Sequence, residues 1–287
     1  MQKAVVIAEI GCNHMGDLEI AKKMIRVAAS FCEVDVVKFQ KRSPKELLSA
    51  EQYNSPHLNP AHSFGATYGA HREYLEFSAD QHRQLKEAAE RENVIYSTSV
   101  WDIRAARDIV KLEPALLKIP SACNQDFDLL SYLCSEYGRE IHVSLGMTSR
   151  AEEDRIAEFF VKKNRHRDVV LYACTSGYPV PFGDLALLEI NRLREKFGRQ
   201  VRSIGFSGHH NGIAMDVAAV TLGASHVERH FTLDRTWKGT DHAASLEPDG
   251  LRKLVRDLRN LALSLTYKQK EILDIEQVQR DKLKKLK

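Results

Sequence analysis

The sequence lacks any long apolar run. No stretch approaches the ~18 consecutive apolar residues that a membrane-spanning helix needs, so a membrane is not an expected partner. Excess charge of one sign is also missing. Lys and Arg total 42 against 39 Asp and Glu, a formal net charge of +3. That leaves no electrostatic footprint from which to argue nucleic-acid binding. Cysteine is sparse and scattered: Cys12, Cys32, Cys123, Cys134 and Cys174, an odd number with no C-x-x-C pair. They read as reduced thiols of a cytoplasmic protein. The opening MQKAVVIAEIGC enters a strand-like segment directly, with neither the apolar stretch nor the small-residue cleavage site of a secretory leader. There is no internal repeat, low-complexity tract or second core.

What the chain does have is alternation. Hydrophobic residues make up 43% and charged residues 28% of 287 positions, an ordinary soluble balance. Short apolar runs at 4–8, 35–39, 94–98, 115–119, 141–145, 169–174, 202–207 and 226–231 read as strands buried on both faces. Helical patterns fill the gaps at 17–31, 79–92, 102–111, 126–137, 149–163, 183–196, 212–223 and 248–264, with Asp17, Asp80 and Asp102 at or near helix starts. Eight β–α units in this length fit an α/β fold, the (β/α)8 TIM barrel, typically ~250 residues. The competitor is a doubly wound open sheet. Its phosphate turn after the first strand would read G-x-G-x-x-G, and here the text is AEIGCNHMGD. The expected organisation is a barrel domain over 1–265 and a charged, helical tail over 266–287. The segment 41–78 has three prolines and several Asn, Ser and Gly. It is an irregular excursion of the kind that serves as a lid or binding loop.

Catalytic groups of a barrel collect at the C-terminal strand ends. Here those ends carry Glu9, Lys38, Gln40, Thr98, Lys118, Ser121, Ser144, Ser176, Tyr178, Ser207, His209, Glu228, His230 and, further out, Asp241. Two lysines and a row of hydroxyls around one mouth point to an anion site, lysine as point charge and hydroxyl as directional donor. His209 and His230, two imidazoles near carboxylates, suit a divalent transition metal with open positions. Strand-end histidines without a metal, and a Glu9 simply paired with a lysine, are the plainer readings of the same residues. From the residues alone the expectation is an enzyme acting on a small anionic, phosphorylated substrate with a divalent metal.

The stretches IAEIGCNHMGDLEIAKKMI, VVKFQK, TYGAHREYLEFS, ACTSGYPVPFGDL and IGFSGHHNGIAMDVAAVTLGASHVERHFTLDRTWKGTDHAASLEP, spread over residues 6 to about 260, resemble the sialic acid synthases. That family condenses phosphoenolpyruvate with an N-acylmannosamine or related sugar. KFQK, TYGAHREYLEFS and TWKGTDHAASLEP are most similar to the branch that uses 6-phosphorylated sugars and makes 9-phosphate products.

The resemblance implies that His209 and His230 hold Mn²⁺, with Mg²⁺ the alternative, and that Lys38, Lys118, Thr98, Ser121, Ser144, Ser176 and Ser207 cradle phosphoenolpyruvate. It also implies that Gln40, Tyr178 and Asp241 position the sugar and that Glu9 moves a proton or orients water. Basic residues of the excursion, Arg42 and Arg72 among them, are expected to meet a sugar 6-phosphate. The expected partners are phosphoenolpyruvate and an aldose or aldose phosphate, and a homodimer is compatible with this.

Three departures stand out. Ala122 and Cys123 occupy positions where most relatives carry Gly and an acid, and Leu145 replaces a usual Thr. The C-terminal antifreeze-like domain, whose arginine reads the N-acyl group, is not in this chain, so weak discrimination between acylated and plain mannose is the expectation. Two further readings compete: a catalytically silent sugar-phosphate binder, and a metal-dependent barrel aldolase that uses pyruvate.

Overall fold

The computed structural model describes residues 3–285. Eight strands lie parallel and close into a barrel in sequence order, the last pairing with the first. They are β1 (Val5–Gly11), β2 (Val36–Lys41), β3 (Ile95–Val100), β4 (Leu116–Ile119), β5 (Glu140–Ser144), β6 (Val169–Cys174), β7 (Ser203–Gly208) and β8 (His226–His230). Around them run α1 (Leu18–Arg26), three short helices of the excursion, α2 (Pro44–Leu47), α3 (Ala50–Asn54) and α4 (Tyr68–Leu75), then α5 (Ala79–Arg91), α6 (Ile103–Val110), α7 (Phe127–Glu136), α8 (Arg150–Lys162), α9 (Glu189–Phe197), α10 (Ala214–Thr221) and α11 (Pro248–Ser264). A last helix, α12 (Asp274–Leu283), buries no residue.

Local chemistry sets the boundaries. Asp17 and Asp102 accept backbone N–H bonds at the starts of α1 and α6. Ser78 and Ser149 close reciprocal capping boxes with Gln81 and Glu152 at α5 and α8. Asp80, expected near a helix start, sits in the first turn of α5, two residues past the Ser78 cap. Two expected helices are shorter than their apolar periodicity. The 17–31 pattern ends in a π turn at Val27–Phe31. The 183–196 pattern opens on a 3-10 turn at Phe182–Asp184, and α9 begins only at Glu189.

The strands are predominantly apolar on their outward side. Their outward residues, such as Val6, Ala8, Val37, Phe39, Leu117, Ile141, Leu171, Ile204 and Val227, pack under the helices in two large clusters. The lumen holds a much smaller apolar group of Ile7, Val36, Leu116, Val170 and Tyr172. Above and below it the inward positions are polar. The strands are buried on both faces, as their continuous runs suggest, but many of the buried inward positions are polar, and the lumen therefore carries charge.

A charged outward position on β8 departs from this pattern. Arg229 on β8 is fully buried, ion-paired with Asp216 of α10, and also contacts His210 Nε2 at 3.2 Å and the Gly212 carbonyl at 2.9 Å. This knot ties the ends of β7 and β8 to α10, beside His209 and His230. Removing one partner strands a charge in the interior. Asp216→Ala should therefore cost about 3–5 kcal/mol, read as a shift of the urea unfolding midpoint at unchanged slope.

Candidate active site

At the C-terminal mouth of the barrel, inward positions of β1, β2, β4 and β8 build a buried charge network. Lys38 Nζ lies 2.6 Å from Glu9 Oε2 and 3.7 Å from Glu228 Oε1, and Lys118 Nζ lies 2.9 Å from Glu228 Oε2. Lys38 also donates to Ser99 Oγ at 2.8 Å, Gln40 Nε2 to Glu9 Oε1 at 2.8 Å, and Ser207 Oγ to Glu228 Oε1 at 3.3 Å. The Lys118 ammonium sits 3.8 Å from the centre of the Tyr172 ring, a cation–π contact. The turn that aims Glu9 depends on Gly11, whose φ of +55° marks an irregularity in the β1–β2 register.

The two lysines differ. Burial disfavours charge on both, but Glu228 and Glu9 outweigh it at Lys38, whose pKa is raised. At Lys118 burial and the like charge of Lys38 prevail over Glu228, and its pKa is lowered. Burial works to raise the Glu228 pKa, yet Lys118 and Lys38 hold it well below the usual carboxylate range. The result is a site with two stacked cations, each already facing a carboxylate.

A cavity of about 330 Å³ opens above this network. Of the residues expected from sequence, Glu9, Lys38, Gln40, Lys118, Ser121, Ser144, Ser176, Tyr178, Ser207, His209 and His230 all line it. Asp241 is not part of this lining and stands beside His230, its Oδ2 3.8 Å from Nδ1. Thr98 does not line it either: it is fully buried on the outward face of β3, with Oγ1 3.4 Å from the Ser99 carbonyl, and the inward hydroxyl at this level belongs to Ser99. The sequence text STSV carries hydroxyls on both faces, so only strand register separates them: Gln40 pairs with Ser99. Glu228, a strand-end residue in the sequence, completes the network. Counting back by two from His230 on β8 reaches it.

Gly146 follows β5 and presents its N–H to Ser121 Oγ at 3.1 Å. A Cβ there would lie 2.4 Å from Ser176 Oγ and 2.7 Å from Ser121 Oγ, so glycine keeps three hydroxyl-bearing strand ends together. Leu145 belongs to the apolar layer under the helices, so its side chain takes no part in the hydroxyl set.

His209 and His230 are neighbours, ring centres 5.4 Å apart. His209 Nδ1 donates to the Thr175 carbonyl at 3.1 Å, which leaves Nε2 as a free lone pair. Burial, then the proximity of His230, lowers the His209 pKa to about 3. Among the described residues His230 Nδ1 finds no hydrogen-bond partner; it is buried 3.8 Å from Asp241 Oδ2. A neutral imidazole of fixed tautomer and an orphaned nitrogen beside it fit a divalent cation. Among the described residues, however, the only group of three ligand-bearing side chains whose donor atoms converge within 4.8 Å is Glu140, His142 and His226, at the opposite end of the barrel.

A second cavity, about 240 Å³, adjoins the first, and Trp101 and Ala122 line both. Arg42 and Arg72 line it from the excursion, but they are not equivalent. Arg42 is buried, paired with Glu76 at 2.6 Å, and donates to Cys12 Sγ at 2.6 Å. Arg72 rests on the Tyr68 hydroxyl at 2.9 and 2.6 Å and has no carboxylate within salt-bridge range among the described residues. The excursion closes over the mouth: His62 accepts from the Gly239 N–H at 3.2 Å, and Lys238 lies over Phe64. Cys123 is buried, its Sγ 3.2 Å from the Trp101 carbonyl, and burial pushes its thiol up to about 12. It is an unreactive thiol.

The sequence profile of the NeuB family matches residues 24–270. The chain belongs to the NeuB family. It is 39% identical to the human N-acetylneuraminate-9-phosphate synthase over 98% of its length and 76% of that protein, and 38% identical to the Drosophila melanogaster enzyme of the same name over 90% and 68%. It also superposes, with a TM-score of 0.81 at 29% identity, on an N-acetylneuraminic acid synthetase from Leptospira borgpetersenii solved with citrate, covering 98% of this chain and 93% of that one.

For this NeuB-family mouth the charge network makes a stability prediction. Glu228→Gln leaves two buried ammonium groups short of a partner and should destabilise by about 3–5 kcal/mol at neutral pH. Because the folded-state pKa of Glu228 is depressed, its contribution is present above its ordinary value of 4.5 and is lost as pH falls below it. The gap in unfolding free energy between wild type and Glu228→Gln should therefore narrow as pH is lowered from 7 toward 3, measured by urea titration. A gap that does not depend on pH would remove the ion-pair explanation.

Proposed function

We propose that this protein is a phosphoenolpyruvate-dependent condensing synthase that joins phosphoenolpyruvate to a mannose-type aldose, giving a nonulosonic (sialic) acid or its 9-phosphate and inorganic phosphate. The observation that carries the reading is the pair of buried lysines, Lys38 and Lys118, each held beside a carboxylate under a ring of hydroxyls. A pyruvate aldolase needs no such double cation, whereas a phosphate and a carboxylate on one small molecule do.

In this reading the phosphate and carboxylate of phosphoenolpyruvate take Lys38, Lys118, Ser99, Ser121, Ser144, Ser176 and Ser207. Gln40, Tyr178 and Asp241 hold sugar hydroxyls. His209 and His230 hold a divalent cation, manganese or magnesium, which when bound supplies Lewis-acid polarisation of the aldehyde. The enol carbon of phosphoenolpyruvate forms the C–C bond to the aldehyde carbon. Water adds at C2, and the C2–O bond to phosphate breaks, leaving an α-keto acid. Glu9, on the lumen side beside Gln40, accepts the proton of that water or fixes its orientation. Cys123 takes no part, since its thiol stays protonated and faces Trp101.

Phosphate release is the direct test. Purified protein with a mannose-type sugar should release phosphate from phosphoenolpyruvate and form a keto acid, should do neither with pyruvate, and should lose activity on exhaustive chelation and regain it with Mn²⁺. Turnover with pyruvate would move the assignment to an aldolase. No turnover with any sugar, despite saturable phosphoenolpyruvate binding, would favour the silent relative.

The adjoining cavity supports a 6-phosphorylated sugar. Among the described residues Arg72 is the cation there without a carboxylate partner, and a guanidinium matches phosphate in a two-point contact. Arg42, expected from sequence to share this task, is already neutralised by Glu76 and instead shapes the cavity wall. Arg72→Ala should lower kcat/KM for the 6-phosphate by roughly 10- to 100-fold, about 1.5–3 kcal/mol, and leave the free sugar nearly unchanged. Rising salt should erode the wild-type preference. Initial rates on both sugars across a salt series check this, and equal losses on both would reduce Arg72 to a structural part of the excursion.

A further inference from the structure

The lumen does not end in apolar packing at the N-terminal end of the barrel. Glu140 opens β5 and His226 opens β8, with His142 two residues above Glu140 on the same face. His226 lies four residues before His230 on the same strand, roughly 13 Å at ~3.3 Å per residue. The floor is therefore well separated from the histidine pair at the mouth. One donor atom from each of Glu140, His142 and His226 lies within 4.8 Å of the other two, and the two rings stand 5.0 Å apart at 81°.

Each donor is oriented by a neighbour. The Tyr172 hydroxyl is 2.7 Å from His142 Nδ1, which leaves Nε2 toward Glu140 Oε2 at 3.3 Å. Ser225 Oγ is 2.8 Å from His226 Nδ1, which leaves the other ring nitrogen for the lumen. Burial keeps both imidazoles neutral, His226 lowered to about 3 and His142 lowered as well, while the hydrogen bond from His142 helps hold Glu140 ionised. These are the protonation states that metal ligation demands. Arg202 binds Glu140 Oε1 at 2.9 Å, which leaves Oε2 for another partner. A cavity of about 490 Å³ reaches this floor from outside, and on its wall Ser203 Oγ is buried with no hydrogen-bond partner among the described residues.

We propose that Glu140, His142 and His226 form a second metal site, a two-histidine, one-carboxylate centre for a zinc-like divalent transition ion. An open position faces the cavity, where a water bonded to Ser203 completes the shell. Two imidazole donors of three favour such an ion over magnesium or calcium, which prefer all-oxygen shells. Binding switches His142 to the tautomer that donates from Nδ1 to Tyr172, with no net proton released from the ring. The centre ties β5 to β8 across the barrel floor and is independent of the mouth.

The test uses the full chain carrying His209→Ala and His230→Ala, which removes the mouth ligands. This protein should still bind one Co²⁺ per chain after dialysis, with ligand-field absorption in the visible, and Zn²⁺ should displace the cobalt and raise Tm. Adding His226→Ala, or the nearly isosteric Glu140→Gln if the alanine variant does not fold, should abolish both signals. Ser225→Ala should weaken the affinity by about 10- to 100-fold, and Arg202→Ala should strengthen it. If the mouth double variant binds no cobalt, or binds it equally after His226→Ala and Glu140→Gln, the floor site is overturned. A failure of the mouth reading would show separately, as wild type taking up no more metal than the double variant.

Discussion

Two ammonium groups inside a barrel lumen must be answered by negative charge, and that requirement organises the molecule. Moving one charge out of water costs several kcal/mol even after relaxation. Lys38 and Lys118 are tolerable only because Glu9 and Glu228 stand within 2.6 and 2.9 Å of them. Those carboxylates come from β1 and β8, the strands whose pairing closes the barrel. Ring closure and charge compensation are thus one event. If β1 and β8 separate, the lysines of β2 and β4 lose their partners.

The surrounding features can be understood as supports for that network. Gly11 lets β1 bend so that Glu9 meets both Lys38 and Gln40. The Arg229–Asp216 knot holds the ends of β7 and β8 from outside, where Ser207, His209, Glu228 and His230 project inward. An anion that binds the lysines must compete with carboxylates already there. A substrate carrying two anionic groups can replace both sets of interactions, and one carrying a single group cannot. On the proposed reading, selectivity for a doubly anionic molecule comes from internal charge balance as well as from shape.

Much of this was legible in the sequence, and the limits have physical reasons. The eight strands and their order followed from apolar runs spaced by helical patterns, and nearly all mouth residues followed from their position at strand ends. Thr98 failed because β3 carries hydroxyls on both faces, and inward or outward is decided by its register against β2, a long-range property. Arg42 kept its expected location but not its expected freedom, because its partner Glu76 lies 34 residues away and nothing local announces the pair. The excursion looked irregular because its helices are short and Pro-bounded, yet capping at Ser49 and Thr67 gives it defined structure. The floor cluster escaped notice because His142 and His226 sit in strands read as continuous apolar runs.

The division between an apolar shell outside the strands and a polar lumen inside them has a consequence for how such a protein changes over time. Each strand carries two independent texts at alternate positions. One is read by the helices and determines whether the chain folds. The other is read by the ligand and determines what is bound. Mutations on the inward text alter hydroxyls, imidazoles and charges while the shell of Val, Ile, Leu and Phe stays as it is. Drift in recognition is therefore largely uncoupled from loss of the fold, except at the four charged residues where the two texts meet. A lineage built this way can explore new substrates by rewriting the mouth, and the lysine–glutamate pairs are the part it can least afford to revise.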